Sequence, residues 1–186
     1  MMIDINDIKN GMTVIIDGTL YQIVEFLHVK PGKGAAFMKI KLKNLKANTT
    51  LEKTFNTNIK IQKANITKMP MQYLYTTGDT YNFMNMETYE QVELPKEQIK
   101  DEIKYLKENL EVELVYFETE LIGLNLPEKI DYKVVFAPDA VKGNTSSGAQ
   151  KDAELENGLT IKVPLFINTG DEIIVSTKDG QYVSRK

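Results

Sequence analysis

This 186-residue chain has no cysteine and no tryptophan, and only one histidine, His28. The missing cysteines exclude disulfides, thiolate metal sites and cysteine nucleophiles, and fit a reducing cytoplasm. A lone histidine cannot build a multi-histidine metal site and leaves no second imidazole for a relay. No apolar run approaches the roughly 18–20 residues that a membrane helix needs. The opening residues, MMIDINDIKNGM, lack the basic region and apolar core of a signal peptide. No Gly-x-Ser-x-Gly elbow occurs. The expectation is a cytoplasmic protein that is not an enzyme and has no metal, cofactor or membrane partner.

What is present is an ordinary globular composition, 42% hydrophobic and 26% charged. The net charge of −3 is unevenly spread. From Gln22 to Lys68 there are ten lysines against two acids, Glu25 and Glu52, a balance of +8. The other residues carry 13 bases and 24 acids, a balance of −11. An acidic protein with one strongly basic segment points to a local polyanion contact.

Strand signals dominate. Gly11–Gly18 followed by Leu20–Val24 reads as two strands joined at an Asp-Gly turn. Phe37–Leu42 alternates, with Met38, Ile40 and Leu42 on one face and Lys39, Lys41 and Lys43 on the other. One face packs a core, and the other presents lysines about 7 Å apart. Leu51–Phe55 and Ile59–Ile61 complete a first barrel, residues 1–64. Further strands are expected at 73–75, 81–85, 88–94, 111–118 and 121–126, in a second barrel, residues 65–127. Within it, Pro95 introduces an expected helix from Lys96 to about Glu108, with Ile99, Ile103 and Leu106 as its apolar stripe. One inserted helix among five strands fits an OB barrel. A third unit, 128–186, has strands at 132–136 and 159–166 and a closing pair. Pro164 in an apolar run suggests an edge strand or a bulge.

The functional candidate is Val29–Phe37, VKPGKGAAF. Lys33 sits between Gly32 and Gly34, which ease a sharp turn. Pro31 fixes its own φ and extends Lys30. The result is a hairpin tip with one cation and nothing packed over it. A phosphate loop is excluded, because Lys33 is followed by Gly-Ala-Ala and a strand. A lysine nucleophile needs desolvation, which an exposed tip does not give. The loop alone reads equally as a solvated turn. Tyr21, Phe26, Phe37 and Phe55 interleave with the lysines and could fill a core or stack bases.

VKPGKGAAF with its lysine-rich strand, then VKGNTSSG, then LTIKVPLFINTGDEIIVSTKDGQYVSR, together resemble the bacterial elongation factor P family from end to end. The resemblance implies an all-β fold: a KOW-like, SH3-like N-terminal barrel and two OB-fold barrels in an L-shaped, tRNA-like arrangement. It implies a monomer that binds the 70S ribosome between the peptidyl and exit tRNA sites and relieves stalling at consecutive prolines. By that resemblance Lys33 contacts the CCA end of peptidyl-tRNA and is the target of a lysine-modifying enzyme. Pro31, Gly32 and Gly34 shape its loop, and Lys30, Lys39, Lys41 and Lys43 meet tRNA or rRNA backbone. Gly143, Asn144 and Thr145 form the third-domain loop near exit-site mRNA, with Asn144 where many members have Asp. Tyr182 and Arg185 match a terminal Tyr-x-x-Arg that contacts RNA. An elongation-factor-P-like paralogue and a generic OB-fold RNA-binding protein are the alternatives.

Overall fold

The computed structural model describes residues 1–140 and 148–186. The chain is all-β, with three antiparallel sheets, and only short 3-10 turns interrupt the strands among the described residues. The first sheet contains β1 (Met2–Asp4), β2 (Thr13–Ile16), β3 (Thr19–Val29), β4 (Phe37–Asn44), β5 (Thr50–Asn56) and β6 (Lys60–Lys63), in the order β1-β6-β2-β3-β4-β5. The Asp-Gly turn forms as expected. Asp17 and Gly18 both have positive φ, 50° and 77°, which matches the twist of a tight hairpin. Met38, Ile40 and Leu42 are fully buried, and they pack with Ile5, Val14, Tyr21, Ile23 and Ile61. Phe55 packs against that cluster. Tyr21 is in the core and Phe37 is half-buried, which leaves Phe26 as the exposed aromatic of the four.

The second sheet contains β7 (Ile66–Thr77), β8 (Thr80–Asn85), β9 (Gln91–Pro95), β10 (Glu111–Phe117) and β11 (Glu120–Asn125), ordered β11-β10-β7-β8-β9. The third contains β12 (Lys129–Phe136), β13 (Gln150–Leu155), β14 (Thr160–Pro164), β15 (Glu172–Ser176) and β16 (Tyr182–Arg185), ordered β14-β13-β12-β15-β16. Pro164 ends β14, an edge strand, where its missing N–H costs no ladder bond. Two compact units result: residues 1–68 with the 115–123 turn region, and residues 69–114 with 124–186.

The expected helix over 96–108 does not form. Two 3-10 turns, Lys96–Gln98 and Ile103–Tyr105, stand in its place, and Leu106 is extended. Ile99 and Leu106 are buried as the stripe required, and Ile103 is half-buried. Donors from the third sheet hold the end of this segment. The Tyr132 hydroxyl donates to the Tyr105 carbonyl, and the Asn157 side-chain amide donates to those of Lys104 and Leu106. A helix this short is marginal on its own, so tertiary contacts decide the local form. Burial pushes the Tyr132 phenol above its usual pKa, so it stays protonated as the donor.

Candidate nucleic-acid interface

β3 and β4 form a long hairpin that carries the Lys33 tip. Their ladder runs from Tyr21 opposite Asn44 to Val29 opposite Phe37, with a register shift between Ile23 and Glu25. Beyond that bulge, Val24 to His28 of β3 are exposed, whereas β4 stays in the sheet: Met38 and Ile40, opposite His28 and Phe26, are core residues, and β4 pairs with β5 from Phe37 to Lys43. Residues 30–35 are all exposed. Gly34 has φ +99°, a conformation costly for any residue with a Cβ, whereas Gly32 lies outside that region with open space around it. Among the described residues Lys33 takes part in no ion pair or side-chain hydrogen bond. Its ammonium stands in the exposed loop that joins β3 to β4.

Behind the tip, the alternation on β4 places Lys39 and Lys41 on the outer face, with Lys43 half-buried at the inner end. Lys41 lies opposite Glu25 on β3 and Glu52 on β5, so a carboxylate flanks it on each side. Lys41 reaches Glu25 at 3.6 Å, and Lys39 reaches Glu52 at 3.1 Å. These are the only two acids between Gln22 and Lys68, and both face the lysine row. Their side chains are about half exposed, so the pairs are worth on the order of 1 kcal/mol or less and can be exchanged. Lys30 and Lys43 make no ion pair among the described residues. Counting residues overlooks Glu25 and Glu52 as partners, because cross-strand register, set for Glu25 by a bulge, leaves no clear mark in the sequence.

In the third sheet, Arg185 lies opposite Ile173, and Tyr182 lies opposite Val175. The two are about 10 Å of strand apart. The Arg185 guanidinium sits 5.6 Å from the Phe166 ring and 3.9 Å from Asp171, so it is not an isolated cation. Gly143, Asn144 and Thr145 lie outside the described residues. Among the described residues no group of three or more histidines, cysteines or carboxylates could hold a metal ion, and no helix is long and apolar enough to cross a membrane. The first unit therefore offers an exposed hairpin loop with one cation at its tip and a row of loosely paired lysines, which suits contact with phosphate.

Three family models match in succession. Residues 4–61 match the elongation factor P KOW-like domain, 66–124 the elongation factor P OB domain, and 130–185 the elongation factor P C-terminal domain. The chain is 51% identical over 185 residues to elongation factor P of Onion yellows phytoplasma (strain OY-M), covering 99% of this chain and 98% of that one. It is 50% identical over the same length to that of Phytoplasma australiense, with the same coverage. Among solved structures it is similar to eukaryotic translation initiation factor 5A from Methanococcus jannaschii, with 28% identity, a TM-score of 0.51, and coverage of 67% of this chain and 95% of that one. A Naegleria fowleri protein of the same initiation factor family shares the fold, at 18% identity, a TM-score of 0.53, and coverage of 68% and 98%.

Proposed function

The chain belongs to the elongation factor P family, and from that premise we propose that it binds the ribosome between the peptidyl and exit tRNA sites and relieves stalling at consecutive prolines. The observation that carries this reading is the β3–β4 arm with Lys33 bare at its tip. Proline is a poor nucleophile, and a stiff nascent chain misplaces the reacting ester. A cation on a slim arm supports the CCA end of peptidyl-tRNA and holds the ester where attack is productive. That is positioning rather than acid–base chemistry, so the factor needs no catalytic residue of its own.

Lys30, Lys39, Lys41 and Lys43 meet backbone phosphate along the arm, with Pro31, Gly32 and Gly34 shaping its end. Gly143, Asn144 and Thr145, with Tyr182 and Arg185, provide the RNA contacts of the third domain. The barrels divide at residues 64/65 and 127/128. Exposure also makes Lys33 accessible to a modifying enzyme that lengthens its reach. The factor acts as a cytoplasmic monomer.

The test is Lys33→Ala in a reconstituted translation system with a consecutive-proline reporter. The expected result is an unchanged melting temperature with relief of stalling abolished. A variant that relieves stalling as well as the wild type would sink the reading. Mapping the mass of the Lys33 peptide from native protein then shows whether the ammonium is extended.

A further inference from the structure

Residues 69–95 contain four carboxylates, Asp79, Glu87, Glu90 and Glu93, and no lysine, arginine or histidine. Within this stretch lies the turn between β8 and β9. Its backbone is tightly fixed. The Asn85 side-chain oxygen accepts from the Glu87 and Thr88 amides at 2.8 and 3.1 Å. The Asn85 carbonyl accepts from the Tyr89 amide at 2.8 Å, and the Asn85 amide donates to the Glu90 carbonyl at 2.8 Å. That network holds Tyr89 at φ +62°.

Five residues other than glycine have positive φ among the described residues: Asp17, Asn48, Tyr89, Asn109 and Glu118. Asp and Asn tolerate this region because their short polar side chains bond locally, but an aromatic side chain does not. Tyr89 nonetheless occupies it, with 72% of its surface exposed, more than any other aromatic residue described. Its hydroxyl makes no hydrogen bond and its ring no aromatic or cation contact among the described residues. Glycine or asparagine would fit the turn with less strain. Among the described residues the ring thus gains no polar, aromatic or cation contact to offset the conformation the turn imposes on it.

We infer that Tyr89, flanked by Glu87 and Glu90, anchors a lysine- or arginine-rich protein surface. The ring face attracts a cation, and the two carboxylates pair with its neighbours. A phosphate backbone is disfavoured at the same place, because the stretch holds no base to meet it. This contact is separate from the Lys33 arm and shares with the proposed function only the ribosome as the probe.

The experiment compares wild type, Tyr89→Gly, Tyr89→Asn and Tyr89→Phe by sedimentation with 70S ribosomes and, in parallel, with deproteinised ribosomal RNA. Loss of the ring should weaken ribosome binding about fivefold or more, as for an exposed aromatic anchor. Tyr89→Phe should retain most of the affinity. Binding to bare RNA should not change. The melting temperature of Tyr89→Gly should hold or rise by roughly 1–3 °C, because strain is relieved. Unchanged ribosome affinity for Tyr89→Gly while the wild type binds would overturn the inference and leave the proposed function standing. Equal losses on bare RNA would assign the ring to RNA and overturn it too. A lower melting temperature would make the ring structural and would likewise overturn it. A wild type that does not sediment with ribosomes would sink both readings.

Discussion

Two sets of lysines in this chain do opposite things. Lys39 and Lys41 ride on the outer face of β4, about half exposed, each paired with one half-exposed carboxylate. Lys107 sits between the second and third sheets with its side chain only 22% exposed. Its ammonium donates to the Asp131 carbonyl, lies 5.4 Å from the centre of the Tyr132 ring, and has Glu156 at 3.6 Å and the Asp131 carboxylate at 3.9 Å. The first pair of cations is held weakly enough to be surrendered to an incoming anion. The second is surrounded by partners within the chain and has little left to offer one. Charge alone therefore does not mark an interface; the looseness of its pairing does.

Lys107→Met should break this comparison most visibly. It leaves the Asp131 carbonyl without its donor and the Glu156 carboxylate without its cation, and removing a charged hydrogen-bond partner from a partly buried site costs about 2 kcal/mol. Thermal or denaturant unfolding should register the loss, with Lys33-dependent activity at low temperature little changed. An unaltered unfolding midpoint would mean that Lys107 is as exchangeable as Lys41. Lys39→Ala with Lys41→Ala should give the reverse pattern: stability within about 0.5 kcal/mol of wild type, but ribosome affinity lower by about tenfold. The slope of log affinity against log salt should become shallower by about 2, one for each phosphate that no longer meets a lysine. A double variant with the wild-type salt slope would show that these lysines never meet phosphate.

Much of the fold is legible in the residues. The Met38, Ile40 and Leu42 alternation locates β4 and its core face, and Asp17–Gly18 locates the first turn, because side-chain period and positive-φ chemistry are local properties. β13 is not legible in the same way, since the buried positions in its alternation are Lys151, Ala153 and Leu155. A lysine there reads as exposed, yet its ammonium is satisfied by the Pro138 carbonyl at 2.6 Å. The false helix over 96–108 has a related origin: contacts from Tyr132 and Asn157, remote in sequence, hold the end of the segment. For the site, a cation at an exposed tip can be read from Pro-Gly-Lys-Gly. The carboxylates facing the lysine row cannot, because cross-strand register is set outside each strand: Glu25 by the Val24 bulge, and Glu52 by the turn between β4 and β5. Nor can the strain at Tyr89, which depends on how Asn85 folds the turn.

Glu25→Gln with Glu52→Gln should sharpen the contrast by freeing the exchangeable lysines altogether. Affinity for bare duplex RNA should then rise by about three- to fivefold, on the scale of two exposed ion pairs. Neutralising two acids of the base-free stretch, Glu87→Gln with Glu90→Gln, changes net charge equally and should raise it by less than about twofold. Equal gains in the two variants would reduce the lysine row to net charge alone.

The smallest effect expected concerns an exposed member of the junction network. The Asp131 carboxyl is held below its ordinary pKa, first by the hydrogen bond from Lys186 at 3.0 Å, which outweighs the opposing effect of burial, and then by the charge of Lys107. A carboxyl whose folded pKa lies below its unfolded value binds fewer protons when folded. Its contribution is therefore complete above the unfolded value of about 4 and is lost as pH falls through the lowered folded value. Lys186→Met removes the leading cause of that shift. The variant should melt about 1–2 °C below wild type from pH 8 down to about pH 5, a small gap because the pair is half exposed. Below about pH 4 the gap should close as Asp131 takes up its proton in both proteins. A gap that stays constant to about pH 2.5 would trace the effect of Lys186 to packing rather than to either carboxylate it faces, Asp131 or Glu172, 3.6 Å away.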